Sequence, residues 1–194
     1  MKDTIVRASM KLFEERGFRE TSIQDICDAV GVTKGAFYYY FTSKEELLME
    51  IHQQYIDDLL SQEEKILNEE LSASDKILGV MSLLMDSIRN NRAAARIFFA
   101  ELRQLEGERL AAIITKRRTF RTNVEGVVRR GMETGELRDD VDPGAMTMAI
   151  LGIVNWSYQW FQPNGKLGSL ELARQFHRMI MSGIGKGGRE GLKP

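Results

Sequence analysis

The sequence predicts an all-helical protein, and three observations carry that prediction. Only three prolines occur in 194 residues, at positions 143, 163 and 194. No block of alternating Val, Ile, Thr and aromatic residues is long enough to form a strand. Apolar residues recur instead at helical spacing along most of the chain. With 43% hydrophobic and 28% charged residues in 22.1 kDa, the chain can bury about one domain's worth of core, which excludes a disordered tail and a multi-domain enzyme.

Ile5, Ala8, Leu12 and Phe13 define the buried stripe of a first helix that stops at Gly17, a residue suited to a positive φ after the last turn. Thr21 and Ser22 offer an N-cap, with Asp25 three residues past Ser22 in a capping-box position, and Ile23, Ile26, Cys27 and Val30 supply the buried face of a second, short helix ended by Gly31. Thr33 caps a third short helix that carries Phe37 and three consecutive tyrosines. Ser43 opens a fourth, with Glu45 and Glu46 in the first turn where the helix dipole favours anions, and it continues through Leu47, Leu48, Ile51, Tyr55 and Leu59. Beyond Glu70 longer helices are predicted near 74–89, 92–105, 107–133, 143–162 and 168–184. Turn residues separate them at Asn90-Asn91, Gly107, Gly131 to Gly135, Asp142-Pro143 and Gln162 to Gly165. Gly183 to Gly188 spells GxGxxG, but without a preceding strand it is expected to be part of a frayed C-terminus.

Lys and Arg number 27 against 28 Asp and Glu, so a charged partner must be met by a local patch. One cysteine forms neither an internal disulfide nor a cysteine-based zinc site, and Cys27 on an apolar helix face is expected to be a small hydrophobe. His52 and His177 are too far apart in the chain to suggest a metal site, and no nucleophile, base and orienting group can be assembled, so neither cofactor nor enzyme activity is expected. The longest apolar run, Ala145 to Val154, falls well short of the roughly 20 residues that cross a bilayer. With no charged-then-apolar leader, a cytoplasmic protein without membrane contact is expected.

Residues 22 to 41 describe two short helices joined at Gly31, which is helix-turn-helix patterning. A recognition helix must offer donors and flat rings to phosphates and base edges in a major groove about 12 Å wide. Thr33, Lys34, Tyr38 and Tyr39 have that chemistry, and Gly35 leaves room for close approach to the nucleic acid. Ser22 and Gln24 are placed to reach the flanking backbone, and Lys44 to serve as a further phosphate ligand. Tyr40 and Phe41 are expected to pack.

The string Ala8, Leu12-Phe13, Gly17-Phe18, Thr21-Ser22-Ile23, Asp25-Ile26, Ala29, Gly31 to Phe41, Ser43-Lys44-Glu45 resembles the N-terminal DNA-binding domain of the TetR-type transcriptional regulators. The resemblance implies an all-helical homodimer of about nine helices per subunit: a three-helix helix-turn-helix domain, then about six helices for ligand binding and dimerisation. It implies a repressor that leaves a palindromic operator when a small molecule binds. By position it assigns Ser22 and Gln24 to contacts at the start of the second helix, Thr33, Lys34, Gly35, Tyr38 and Tyr39 to the recognition helix, and Lys44 to a phosphate contact. Expected boundaries are 1–46 for DNA binding, 47–186 for ligand binding and dimerisation, and 187–194 for a flexible tail. Cys27 stands where the family usually has alanine, and residues 1 to 50 hold seven Lys and Arg against nine Asp and Glu, so DNA affinity should rest on a few placed contacts with steep salt dependence.

In the C-terminal region Met146, Ile150, Leu151, Ile153 and Val154, with Leu170, Leu172, Phe176, Met179 and Ile180, suggest two helices per subunit closing a four-helix dimer interface. Met81, Met85, Ile88, Arg96, Phe98, Leu102, Trp156 and Trp160 are the expected ligand-binding residues, together with the neighbouring Leu84 and Ile97. Arg92, Arg96 and Arg103, and Lys116, Arg117, Arg118 and Arg121, would suit the phosphates of an acyl-coenzyme A if they flank that pocket. Asn155 to Gly165 further resembles a segment of TetR-type regulators of fatty-acid, phenylacetate and steroid-ring catabolism, which implies a coenzyme A thioester as effector. The alternative is an efflux repressor that senses lipophilic or cationic drugs, for which Asp86 and Glu101 are the acidic candidates.

Overall fold

The computed structural model describes residues 1–184, and among them the regular structure is helical, as expected. The helices are α1 (Lys2–Arg16), α2 (Ile23–Val30), α3 (Lys34–Tyr40), α4 (Lys44–Asn68), α5 (Ala73–Asn90), α6 (Arg92–Ala100), α7 (Gly107–Glu133), α8 (Pro143–Asn155), α9 (Ser157–Trp160) and α10 (Ser169–Ile184), with a 3-10 turn at Leu102–Gln104. The expected tail, 187–194, and most of the Gly183 to Gly188 string lie outside the described residues. Two compact units divide the chain: Met1–Asp58 with Asn91–Lys116, and Leu59–Asn90 with the residues from Arg117 onward.

In the first unit α1 buries Ile5, Val6, Leu12 and Phe13, and Phe13 meets Phe18 edge to face at 5.2 Å. Gly17 ends α1 at φ +88°, its N–H bonded to the carbonyl of Phe13. α6 packs against α1 and buries Ala95, Ile97 and Phe98. The Phe98 ring lies 4.8 Å from that of Tyr55 and 5.5 Å from the imidazole of His52. Polar contacts follow the same path: Arg96 approaches Glu14 at 3.6 Å, and Arg19 donates to Gln104 at 3.0 Å. Residues 91–116 thus share a core with the first helices although they lie far from them in sequence.

In the second unit α5 is the central helix, packed on α8, α9 and α10, and it buries Ile77, Val80, Met81, Leu84, Met85 and Ile88. The Glu136 carboxylate accepts from the N–H groups of Ala73 and Ser74 at 2.9 and 2.7 Å, which satisfies two of the open donors at the start of α5. A Cβ on Gly79 would lie 2.9 Å from Ile66, so α5 approaches α4 too closely for any larger residue at that position.

Three expectations are corrected. The helix expected over 92–105 ends at Ala100 and gives way to the 3-10 turn. The one expected over 143–162 is interrupted at Trp156: the Gln159 N–H bonds back three residues to the Trp156 carbonyl, and this tightened turn ends at Trp160, ahead of Pro163. Third, the apolar residues of α8 divide differently. Met146, Ile150, Leu151 and Val154 are buried inside the unit, and the outward stripe is Ala145, Met148, Ala149 and Gly152. On α10, Leu172 is buried while Leu170 and Met179 are exposed, and Phe176 and Ile180 are half-buried.

Candidate nucleic-acid interface

The helix-turn-helix is held by local chemistry that its sequence encodes. Ser22 Oγ accepts from the Asp25 N–H at 3.1 Å and Asp25 Oδ2 accepts from the Ser22 N–H at 2.7 Å, a closed capping box. The bonds from Ser22 hold the Asp25 carboxyl below its ordinary value. Gly31 adopts φ +77°, ψ +35°, a left-handed conformation that costs a residue with a Cβ roughly 1–2 kcal/mol. Its N–H and that of Val32 both reach the Cys27 carbonyl, so the turn completes the end of α2. Thr33 Oγ1 then caps α3 through the Ala36 N–H at 3.2 Å.

At seven residues α3 is too short to persist alone, and two fully or nearly fully buried rings fix it. Phe37 is 0% exposed and Phe41 2%, with centroids 5.8 Å apart. A helical step of about 100° then turns the neighbouring side chains outward. Tyr38 is 51% exposed and Tyr39 81%, while Tyr40 is half-buried and meets Tyr39 edge to face at 4.9 Å. Thr33, Lys34 and Gly35 are exposed at the start of the same helix. The structure therefore brings Thr33, Lys34, Gly35, Tyr38 and Tyr39 onto one short exposed element. Cys27 is fully buried, and desolvation pushes its thiol up from its ordinary value, which makes it a packing residue.

The remaining residues of this group have protein partners. Gln24 is exposed and donates to Asp28 at 2.7 Å, one turn along α2. Lys44 Nζ donates to the carbonyls of Phe18 and Thr21, each at 2.7 Å, and lies 4.4 Å from the centre of the Phe18 ring. It thereby ties the loop between α1 and α2 to the first turn of α4. A cleft of about 490 Å³ opens beside it, lined by Arg19, Lys44 and Arg109 together with Glu45 and Glu106. Its lining holds three cations against two carboxylates, so most of its charge is balanced within the cleft.

The ligand-binding candidates fall on both compact units. Arg96, Phe98 and Leu102 belong to the first, where Arg96 faces Glu14, Phe98 is buried against Tyr55 and Leu102 is half-buried in the 3-10 turn. Met81, Met85 and Ile88 are buried on α5 in the second. Trp156 and Trp160, also in the second, are 63% and 46% exposed and do not join that buried group. The interruption at Trp156 removes them from a single continuous helix, and Trp160 rests edge-on against Phe176 at 6.3 Å. Sequence reasoning missed Glu63, which is fully buried on α4. Its signal was present: with His52, Ile56 and Leu59 it occupies the three-or-four-residue register of the buried face.

Residues 5–51 match the family described as bacterial regulatory proteins, tetR family, and residues 70–184 match the tetracyclin repressor-like C-terminal domain. The HTH-type transcriptional repressor KstR2 of Mycobacterium tuberculosis (strain ATCC 25618 / H37Rv) is 26% identical over 185 residues, which are 95% of this chain and 92% of that protein. A solved structure of KstR2 from that species superposes with a TM-score of 0.89 at 25% identity, covering 95% of each chain. The fatty acid metabolism regulator protein of Bacillus subtilis (strain 168) is 22% identical over 181 residues, 93% of each chain. AibR, solved in complex with isovaleryl coenzyme A and operator DNA, superposes with a TM-score of 0.84 at 26% identity, covering 92% of this chain and 96% of its own.

Proposed function

The chain belongs to the TetR family of bacterial regulatory proteins, and from that premise we propose that it is a dimeric, ligand-responsive repressor acting in the cytoplasm on a palindromic operator. It is a DNA-binding transcriptional repressor and not an enzyme. The observation that carries the operator reading is the exposed face of α3, where Thr33, Lys34, Gly35, Tyr38 and Tyr39 stand on an anchor of buried Phe37 and Phe41. Ser22, Gln24 and Lys44 complete the proposed DNA-binding set, with Lys44 acting mainly by fixing the loop before α2. By role, the chain divides into 1–46 for DNA binding and 47–186 for effector binding and dimerisation.

The outward apolar groups support the dimer. Met148 is 54% exposed, Met179 64% and Leu170 44%, on α8 and α10, which pack side by side. Two such helices from each of two subunits would close a four-helix bundle with the small residues Ala145, Ala149 and Gly152 at its seam.

A coenzyme A thioester is the proposed effector class. AibR binds isovaleryl coenzyme A, and another relative is a fatty acid metabolism regulator, which supports this class. Effector binding would act by population shift, changing the presentation of α3 through α4, an uninterrupted helix from Lys44 to Asn68. The acidic candidates of the efflux alternative already have protein partners, Asp86 accepting from Ser169 at 2.6 Å and Glu101 from the Phe18 N–H at 3.4 Å.

Operator fragments selected from genomic DNA test the reading, with binding followed by fluorescence anisotropy. Replacing Lys34 and Tyr38 together with Ala should abolish specific binding while the protein remains folded and dimeric. Full affinity in that variant would reject the site.

A further inference from the structure

A buried acidic side chain that no role above uses is Glu63. It is fully buried on α4, and Asn123 on α7 donates from Nδ2 to its Oε2 at 2.8 Å. Its other oxygen, Oε1, is shielded from solvent and has no hydrogen-bond partner among the described residues. Burial pushes the carboxyl up to about 8, against one lowering contact from Asn123, and no cation among the described residues offsets it. At neutral pH the group is therefore an uncharged acid with one O–H and one carbonyl oxygen. The Asn123 N–H makes Oε2 the acceptor, which puts the proton on Oε1. The result is a buried donor facing no acceptor, an unfavourable arrangement that folded proteins seldom retain without use. One turn away on α4 stand Leu59 and Ile66, and one turn from Asn123 on α7 stands the buried Phe120. The neighbouring turns of both helices are thus apolar around this polar pair.

We propose that Glu63, held by Asn123, is a specificity residue of the effector site, donating from Oε1 to an uncharged carbonyl oxygen carried within the acyl group of the effector. This rests on the thioester reading above and narrows it to acyl groups that bear a ketone. Asn123 is a positioning residue, since its amide fixes which oxygen holds the proton.

Calorimetric titration of the full-length protein with octanoyl-coenzyme A and with singly oxo-substituted octanoyl esters, the ketone walked along the chain, tests this. The thioester is common to every probe, so its contribution cancels. One oxo ester should bind about tenfold more tightly than octanoyl-coenzyme A, the worth of one buried hydrogen bond. Glu63→Leu should erase that ratio, and Glu63→Gln, whose amide still donates, should keep most of it. Because the ratio is measured within each variant, a general loss of stability does not mimic the result. Equal binding of all esters to the parent protein, or a ratio that survives Glu63→Leu, overturns the role of Glu63 and leaves the thioester reading in place. Binding of none overturns both. Tight binding of a lipophilic cation such as rhodamine 6G that is lost in Glu63→Gln overturns the neutral donor in favour of a carboxylate.

Discussion

Lys34 and Lys44 are both lysines of the helix-turn-helix, yet their surroundings divide their roles. Lys34 is exposed at the first turn of α3, whereas Lys44 is held by the carbonyls of Phe18 and Thr21. Lys44→Ala should therefore lower the melting temperature followed by circular dichroism and weaken DNA binding, while Lys34→Ala should weaken binding with the melt unchanged. Glu63 gives a second expectation at this scale. Its folded-state value near 8 lies above the ordinary 4.5, so its contribution to stability is complete below about pH 4.5 and is lost as pH rises through about 8. Relative to Glu63→Gln, the parent protein should lose roughly a few kcal/mol between pH 5 and 8. Urea midpoints of the two proteins across that window would show it, and parallel curves would refute it. Glu63 is also where sequence reading stopped short: in the run Gln62-Glu63-Glu64-Lys65 it looks like one more solvated charge, and its register with His52, Ile56 and Leu59 is the sequence sign of the burial that the fold shows.

The short elements were legible because their determinants are local. Gly31, the Ser22–Asp25 box and Thr33 each act within about one turn, so the sequence carried the start and stop of α2 and the start of α3 directly. Replacing Gly31 with Val should cost about 1–2 kcal/mol in urea unfolding, since the left-handed backbone penalises a Cβ even though open space surrounds it. Thr33→Ala should cost about 1 kcal/mol through loss of the cap. The interruption at Trp156 was not legible. Nothing in Asn155-Trp156-Ser157 is a helix breaker, and the break coincides with the burial of Ser157, 0% exposed, and Phe161, 3% exposed, which the local sequence does not announce.

For the whole molecule, the N-terminal charge balance predicts modest electrostatics. Residues 1–50 carry fewer cations than anions, and because the slope of log affinity against log salt scales with the number of phosphates neutralised, a few contacts per subunit should make it shallow, which corrects the steep dependence expected from the sequence. A slope near that of a strongly basic repressor, about −10, would contradict this. The outward residues of α8 and α10 predict that Met148→Glu with Met179→Glu leaves a folded monomer in native mass spectrometry, whereas Met146→Glu, with Met146 2% exposed, disrupts the subunit itself. A dimer that survives the double change would place the interface elsewhere.

By itself the sequence determined the helical class, the capped helix-turn-helix, its exposed tyrosines and the likeness to the TetR regulators, because those depend on spacing and on contacts within a few residues. Tertiary structure alone decided that residues 91–116 share a core with α1, that Met146 and Ile150 face inward while Met148 faces out, and that Glu63 is a buried acid with one oxygen unpaired. Helical periodicity marks a face as apolar without saying what covers it. That is fixed by which distant segment arrives there, and with it burial, charge state and the residues left for a partner.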